Sequence, residues 1–226
     1  MLVYACTPEL AEMTRRNVAT LLEHTVGEFE LRVLFNGGPP VALPADDRLV
    51  PIYMAERSSI AKAYNLAFSQ ARGDTFACVH NDVTVPYGWD ERMAEAVGDG
   101  FAFPMVLEDA QDCAERGIGQ TQAGFPTGCC FMFPRALYEA LGGFDEQYEG
   151  CHFEDTDLWM RALKDGRRLS RAAVVVTHGR GKTRTVLHDM GNTSFRRNQE
   201  LYADKHRQAD GSVHIPTLQE QPNGTY

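Results

Sequence analysis

The stretch FACVHNDVTVP, residues 76–86, changes character in its middle. Phe76 to Val79 is an apolar run suited to a buried strand, His80-Asn81-Asp82 is polar, and apolar residues resume at Val83. Pro86-Tyr87-Gly88 then reads as a turn. A buried strand that stops on an amide and a carboxylate has two readings. Asp82 is a turn residue bonded to its own backbone. Or it is a hard ligand for Mg2+ or Mn2+, ions that take one or two carboxylates and share the rest of their shell with substrate phosphates.

Working outward, strands alternate with helices. Residues 2–6 read as a first buried strand and 8–24 as a helix, with Pro8 in its first turn and Leu10, Met13, Val18, Leu21 and Leu22 as an apolar stripe. A second strand spans 29–35 and breaks at Asn36-Gly37-Gly38, and a short strand is expected at 49–53. Ser58 or Ser59 caps a helix that carries Ile60, Tyr64, Ala67, Phe68 and Ala71 on one face and stops at Gly73. After the strand at 75–80 come a helix at 88–97, a strand at 101–106, and an unpatterned polar stretch at 107–124. A strand at 128–133, helices at 134–141 and 155–165, a strand at 172–177 running into His178, and a helix at 192–206 complete the series. This order predicts an α/β sheet covered by helices. Residues 1–207 are expected to form one domain, and 208–226 a polar, mobile tail. Ligands of such sheets sit beyond the carboxyl ends of the strands, which directs attention to Thr7, Asn36, Asn81, Asp82 and His178.

Composition narrows the function classes. With 226 residues, 43% hydrophobic and 10% aromatic, the chain suits a domain with a real core. No apolar run approaches the roughly 18 residues of a membrane span, and MLVYACTPEL lacks the features of a signal peptide. A soluble, cytoplasmic protein is expected. Six cysteines show no CxxC spacing, and Cys129, Cys130, Cys151 and His152 fit no common zinc pattern. The net charge of −9 is unevenly spread: residues 161–207 hold 12 Lys and Arg against 4 acids. That basic third is either a solvated face or a dock for an anion, with Arg167, Arg168, Arg196 and Arg197 as its candidates.

Three further places could carry chemistry. His178 precedes Gly-Arg-Gly-Lys-Thr; it is a structural histidine, or a ligand beside a loop whose Arg180 and Lys182 close on a diphosphate. The loop lacks P-loop spacing. In Phe153-Glu154-Asp155-Thr156-Asp157, the acids either complement a helix dipole or include a general base. Gly128 is a plain turn residue or admits a ligand close to the backbone. No glycine-rich loop follows the first strand, which argues against a nucleotidyltransferase and a Rossmann oxidoreductase.

Taken in order, SSIAKAYNLAFSQARGD (58–74), VHNDVTVPYGW (79–89), PTGCCFMFPRALYEALGGFDEQY (126–148), FEDTDLWMRALKDG (153–166) and AAVVVTHGRGKT (172–183) resemble a family 2 glycosyltransferase. The resemblance runs over roughly residues 1–185. It implies the GT-A fold of nucleotide-diphospho-sugar transferases, a mostly parallel, mixed central sheet flanked by helices. It implies Mn2+ or Mg2+ and a nucleoside-diphosphate sugar donor, with a UDP-sugar favoured. Asp82 would hold the metal, with Asn81 beside it and His178 as a further ligand. His80 stands where the family often has another acid, a change that either weakens the metal site or shifts its preference towards a softer ion such as Mn2+. Thr7, Pro8 and Glu9 would line the nucleotide pocket, and Asn36 and Asn65 would shape it. Phe35 occupies the place of the acid that faces the base, which leaves the base open. Gly128 and Trp159 would face donor sugar or acceptor. Asp155, assisted by Glu154, would be the general base of an inverting transfer. The acceptor could be a glycan, a lipid-linked sugar, a protein, a small molecule or a modified nucleic-acid base. A non-catalytic sugar-nucleotide or glycan-binding protein on the same fold is the competing reading.

Overall fold

The computed structural model describes residues 2–5, 10–38, 40–115, 126–179 and 190–216. Eight strands form one sheet. They are β1 (Leu2–Ala5), β2 (Leu31–Asn36), β3 (Leu49–Met54), β4 (Thr75–His80), β5 (Val83–Thr84), β6 (Phe101–Glu108), β7 (Cys130–Pro134) and β8 (Leu169–His178). Among the described residues, seven helices connect and cover them: α1 (Ala11–His24), α2 (Ile60–Ser69), α3 (Trp89–Val97), α4 (Ala110–Glu115), α5 (Arg135–Leu141), α6 (Glu154–Lys164) and α7 (Met190–His206). The spatial order is β3-β2-β1-β4-β7-β6-β8-β5. The β3-β2-β1-β4 half is parallel. β7 runs antiparallel between β4 and β6, and β5 antiparallel to the end of β8.

The period of two along each strand divides the core into two layers. In β4, Ala77 and Val79 join Val18 and Leu21 of α1 and Trp89 and Met93 of α3 on one face. Phe76 and Cys78 point to the other face, where α2, α5 and α6 supply Phe68, Leu137 and Leu158. This second layer is built on aromatic rings: Phe68 stacks on Phe76 at 4.5 Å and meets Phe133 edge-on at 5.6 Å. Trp159 belongs to this core and not to a cleft. It is 3% exposed and stands edge-on to Phe103 and Phe131.

Several boundaries differ from expectation. β8 begins at Leu169, three residues early, because Ser170, Arg171 and Ala173 can sit on an open face while Leu169, Ala172 and Val174 are buried. β6 runs on to Glu108, and the stretch expected to be unpatterned begins with α4. Strand β5 has only two residues, too few for a periodic signal, yet it positions the site. Behind the sheet, α7 is tied to α6 through Asp157, which is fully buried and takes bonds from Arg161 Nε (2.8 Å), His206 Nε2 (2.8 Å) and Tyr148 Oη (3.2 Å). The chain then turns back at 208–211, and Tyr202 Oη donates to His214 O at 2.6 Å. No helix among the described residues is long and apolar enough to cross a membrane.

Candidate metal and acid–base centre

β4 ends in His80, and the chain turns through Asn81 and Asp82 into β5. β5 pairs antiparallel with β8, with Val83 opposite His178. That register brings two strand ends, almost a hundred residues apart in sequence, into one cluster. Ligand atoms of His80, Asp82 and His178 all lie within 4.8 Å of one another. Helix α1 holds the turn: Asn17 Nδ2 donates to Val83 O (2.6 Å) and His80 O (3.3 Å), and Asn81 Nδ2 donates to Thr14 Oγ1 (3.0 Å). Two backbone bonds fix it from the other side, His80 N to Cys129 O and Gly179 N to Asp82 O, both 2.8 Å.

The electrostatics suit a cation. Burial pushes the His80 imidazole down to about 4, against the pull of Asp82, so at neutral pH it is uncharged and keeps a lone pair. Burial alone would raise the Asp82 carboxyl, but His178 and His80 beside it outweigh burial and hold it below its usual range. Asp82 Oδ1 lies 3.3 Å from His178 Nε2. The contact lacks hydrogen-bond geometry, and the oxygen is buried without a hydrogen bond. His178 faces that buried oxygen, and a cation held by the three side chains would meet it as well. Two imidazoles and one carboxylate are a donor set for Mn2+ more than for Mg2+, which prefers oxygen alone.

The second half of the centre is the start of α6. His152 (φ 83°) and Phe153 (φ 70°) precede it in the left-handed region, which costs a non-glycine residue roughly 1–2 kcal/mol. Strain of this kind persists where surrounding structure imposes it. Glu154 is buried, and its Oε2 has no hydrogen bond. Burial, then the charge of Asp155, pushes its carboxyl well above the usual range. Burial also raises Asp155, although Thr156 N (2.6 Å) and Thr156 Oγ1 (3.1 Å) donate to its Oδ1. Its other oxygen, Oδ2, lies against Gly128, where a Cβ would collide with it. Gly128 is therefore small because the carboxylate occupies its side-chain space. Cys129 joins the two halves: burial, then the charges of Asp82 and Asp155, push its thiol up to about 12. Both carboxylates act on the same buried sulfur.

Other residues named from the sequence lie elsewhere. Asn36 Nδ2 and Oδ1 bond the backbone of Ser58, each at 2.9 Å, and lock β2 to the start of α2. Asn65 does the same for Phe144, donating to its O and accepting from its N at 2.9 Å. Phe35 is buried and stacks on Tyr53 at 5.2 Å. Thr7, Pro8, Glu9, Arg180 and Lys182 lie outside the described residues. A cavity of about 410 Å³ opens between the start of α2, the turn after α5 and α7, with Arg57, Lys62, Glu146 and Arg197 among its walls. Sequence reading passed over Thr14 and Asn17. Their signal was a pair of polar residues three apart on the buried face of α1.

Residues 5–142 match the family model for glycosyl transferase family 2, and residues 123–189 match that for the N-terminal domain of galactosyltransferase. No curated protein matches the sequence. Among solved structures, Staphylococcus aureus TarS 1–349 in complex with UDP-GlcNAc superposes with a TM-score of 0.62 at 16% identity, covering 94% of this chain and 68% of that one. GalNAc-T7 with UDP, GalNAc and Mn2+ gives 0.60 at 10% identity, covering 79% and 43%. The mannosyltransferase PcManGT from Pyrobaculum calidifontis with GDP-Man and Mn2+ gives 0.57 at 17% identity, covering 95% and 65%. At these identities the likeness is one of fold, that of the GT-A enzymes, and the chain spans less than half of GalNAc-T7.

Proposed function

The chain belongs to glycosyl transferase family 2, and on that premise we propose that it moves a sugar from a nucleoside-diphosphate sugar to an acceptor hydroxyl with inversion. The observation that carries this reading is the cluster of His80, Asp82 and His178, whose ligand atoms lie within 4.8 Å of one another, linked through Cys129 to the raised carboxyl of Asp155. His80, Asp82 and His178 would hold Mn2+ or Mg2+. Such an ion neutralises the charge that grows on a departing diphosphate.

The residues of the chain do the rest. Asp155 Oδ2, beside Gly128, takes the proton from the acceptor hydroxyl. The acceptor oxygen bonds the anomeric carbon as the bond from that carbon to the phosphate oxygen breaks, and the diphosphate leaves with the electron pair. Burial raises the basicity of Asp155, which favours it as proton acceptor near neutral pH. Glu154, its carboxyl raised by burial and by the charge of Asp155, would assist by staying neutral beside that charge. Thr7, Pro8, Glu9 and Asn81 would frame the nucleotide, with Arg180 and Lys182 over the diphosphate, while Asn36 and Asn65 shape the pocket only by holding the backbone of Ser58 and Phe144. In this reading residues 1–207 are the catalytic unit.

A UDP-sugar is favoured as donor, supported by the UDP complexes among the structural neighbours. A GDP-mannose enzyme shares the fold, so the test spans bases. Thermal shift against UDP, GDP and dTDP and their sugars, with and without Mn2+, should give a metal-dependent rise of several degrees with one base. No rise with any base, with or without metal, would sink the reading.

A further inference from the structure

The two left-handed residues before Glu154 need something to hold them, and that support comes from the far end of the chain. Asn198 on α7 is fully buried. Its Nδ2 donates to Glu149 O (2.8 Å), His152 O (2.9 Å) and Cys151 O (3.0 Å). Its Oδ1 accepts from Glu149 N at 3.1 Å. An amide has two N–H protons, so three carbonyls share them, and the N–H of Glu149 fixes which end of the amide is which. Three carbonyls of one short loop, 149–152, thus converge on a single nitrogen.

The rest of α7 reinforces this grip. Ser194 Oγ donates to Cys151 O at 3.4 Å. Phe195 meets His152 edge-on and Phe153 at a tilt, each at 5.3 Å, and Tyr202 packs on Phe153 at 5.5 Å. Neither His152 nor Phe153 is glycine, so φ above zero there needs support; the His152 backbone N–H bonded to the Glu154 carboxyl gives part of it, and Asn198 holds the carbonyls. With the amide removed, the loop can relax to ordinary dihedrals and rotate the first turn of α6. That turn carries Asp155, whose Oδ2 has only the width of a glycine in which to stand.

We propose that Asn198 is the positioning residue of the acid–base centre: it holds the strained 149–153 loop so that Asp155 projects beside Gly128. The proposal rests on Asp155 being the base. It adds that a side chain 43 residues away, on a different helix, sets the geometry of that base.

The test uses Asn198→Ala, Asn198→Asp (the same size, with the donor replaced by a carboxylate), the milder Ser194→Ala, and Asp155→Asn. The probe is UDP-GlcNAc with Mn2+, or the nucleotide sugar that the donor panel selects, with water as acceptor and UDP release as readout. Affinity for UDP and Mn2+ is measured by calorimetry, and the Asp155 carboxyl is titrated by carbon NMR. Asn198→Ala and Asn198→Asp should slow UDP release on the order of 10²-fold, keep UDP–Mn2+ affinity within about threefold of the parent, and lower the titration midpoint of Asp155. In the Asp155→Asn background, Asn198→Ala should cost nothing more, because its effect runs through the base. Equal losses of affinity and rate would make Asn198 a general structural residue and overturn the proposal. So would an unchanged rate and titration in folded Asn198 variants while Asp155→Asn is dead, which would leave the base intact. If only Asn198→Asp folds, a rate and titration equal to the parent's in that variant overturns it, and Ser194→Ala, which leaves the amide in place, should keep the parent's rate. Full activity of Asp155→Asn would remove the base, and the proposal with it.

Discussion

Asp155 is held at the cost of its own solvation. Its carboxyl binds a proton more tightly in the folded chain than the usual value of 3.8, because burial disfavours the charge. The folded state therefore binds more protons than the unfolded state between 3.8 and the raised value, and stability falls as pH rises through that window. Replacing Asp155 by Asn removes that loss, so the variant should melt higher at pH 7 while transfer falls about 10²- to 10⁴-fold, the span of general base catalysis. A lower melting point, or activity equal to the parent's, would contradict the assignment. Gly128→Ala tests the same atom from the other side: a methyl in the space of Oδ2 should displace the base and cut turnover on the order of 10²-fold, with UDP–Mn2+ affinity unchanged. The acids and His178 were legible in sequence because strand ends and helix starts are where such groups are looked for. The amides were not. Asn36 bonds a residue 22 positions away and Asn65 one 79 positions away, and no local pattern encodes a partner at that separation. Asn198 is the extreme case, a polar residue that reads as ordinary helix filler.

At the scale of elements, α1 does more than cover the sheet. Thr14 and Asn17 lie one turn apart on its buried face, among Val18 and Leu21. Through them the helix holds the turn between β4 and β5 in the shape that aims Asp82 at His178. Asn17→Ala should leave the carbonyls of His80 and Val83 without that donor, which costs roughly 1–3 kcal/mol for a buried group. Mn2+ affinity should drop by about 10- to 100-fold, as when an outer partner of a metal site is lost. Denaturant unfolding and calorimetry with Mn2+ check the two figures separately; a loss of stability with unchanged Mn2+ affinity would detach α1 from the site. Most helices and strands were legible in sequence to within a few residues because each buries a periodic face. β5 was not, being two residues long. Neither was the place of β7, an antiparallel strand set between β4 and β6, since hydrophobic alternation marks a strand but says nothing about its neighbours or direction.

Across the whole molecule, the sheet has a chemical end and a structural end. His178 closes β8, and Arg167 and Arg168 stand just before its start. Ten residues at about 3.3 Å each separate them by roughly 30 Å. Arg196 and Arg197 lie on α7, on the side of the 149–153 loop, and Arg197 pairs with Glu149. Arg167 and Arg168 therefore stand far from the His178 end of the sheet, while Arg197 stands by the acid-bearing loop. Much of the basic third is also neutralised within the chain: Arg161 by Asp157, Arg167 by Asp99 and Asp165, and Lys205 by Asp145. Asp99 and Asp145 come from distant parts of the chain, which linear charge counting does not see. Arg167→Ala with Arg168→Ala should thus leave UDP release and its salt dependence unchanged, and should shift stability by less than about 1 kcal/mol, since exposed pairs contribute little. Arg197→Ala removes a wall of the cavity beside the acid-bearing loop and should change the rate where the distant pair does not. Should the distant pair slow the reaction instead, while the melting point holds, an anion must reach from one end of β8 to the other. Only an extended acceptor, several sugar units or nucleotides long, could span that distance, and the search for acceptors would begin there.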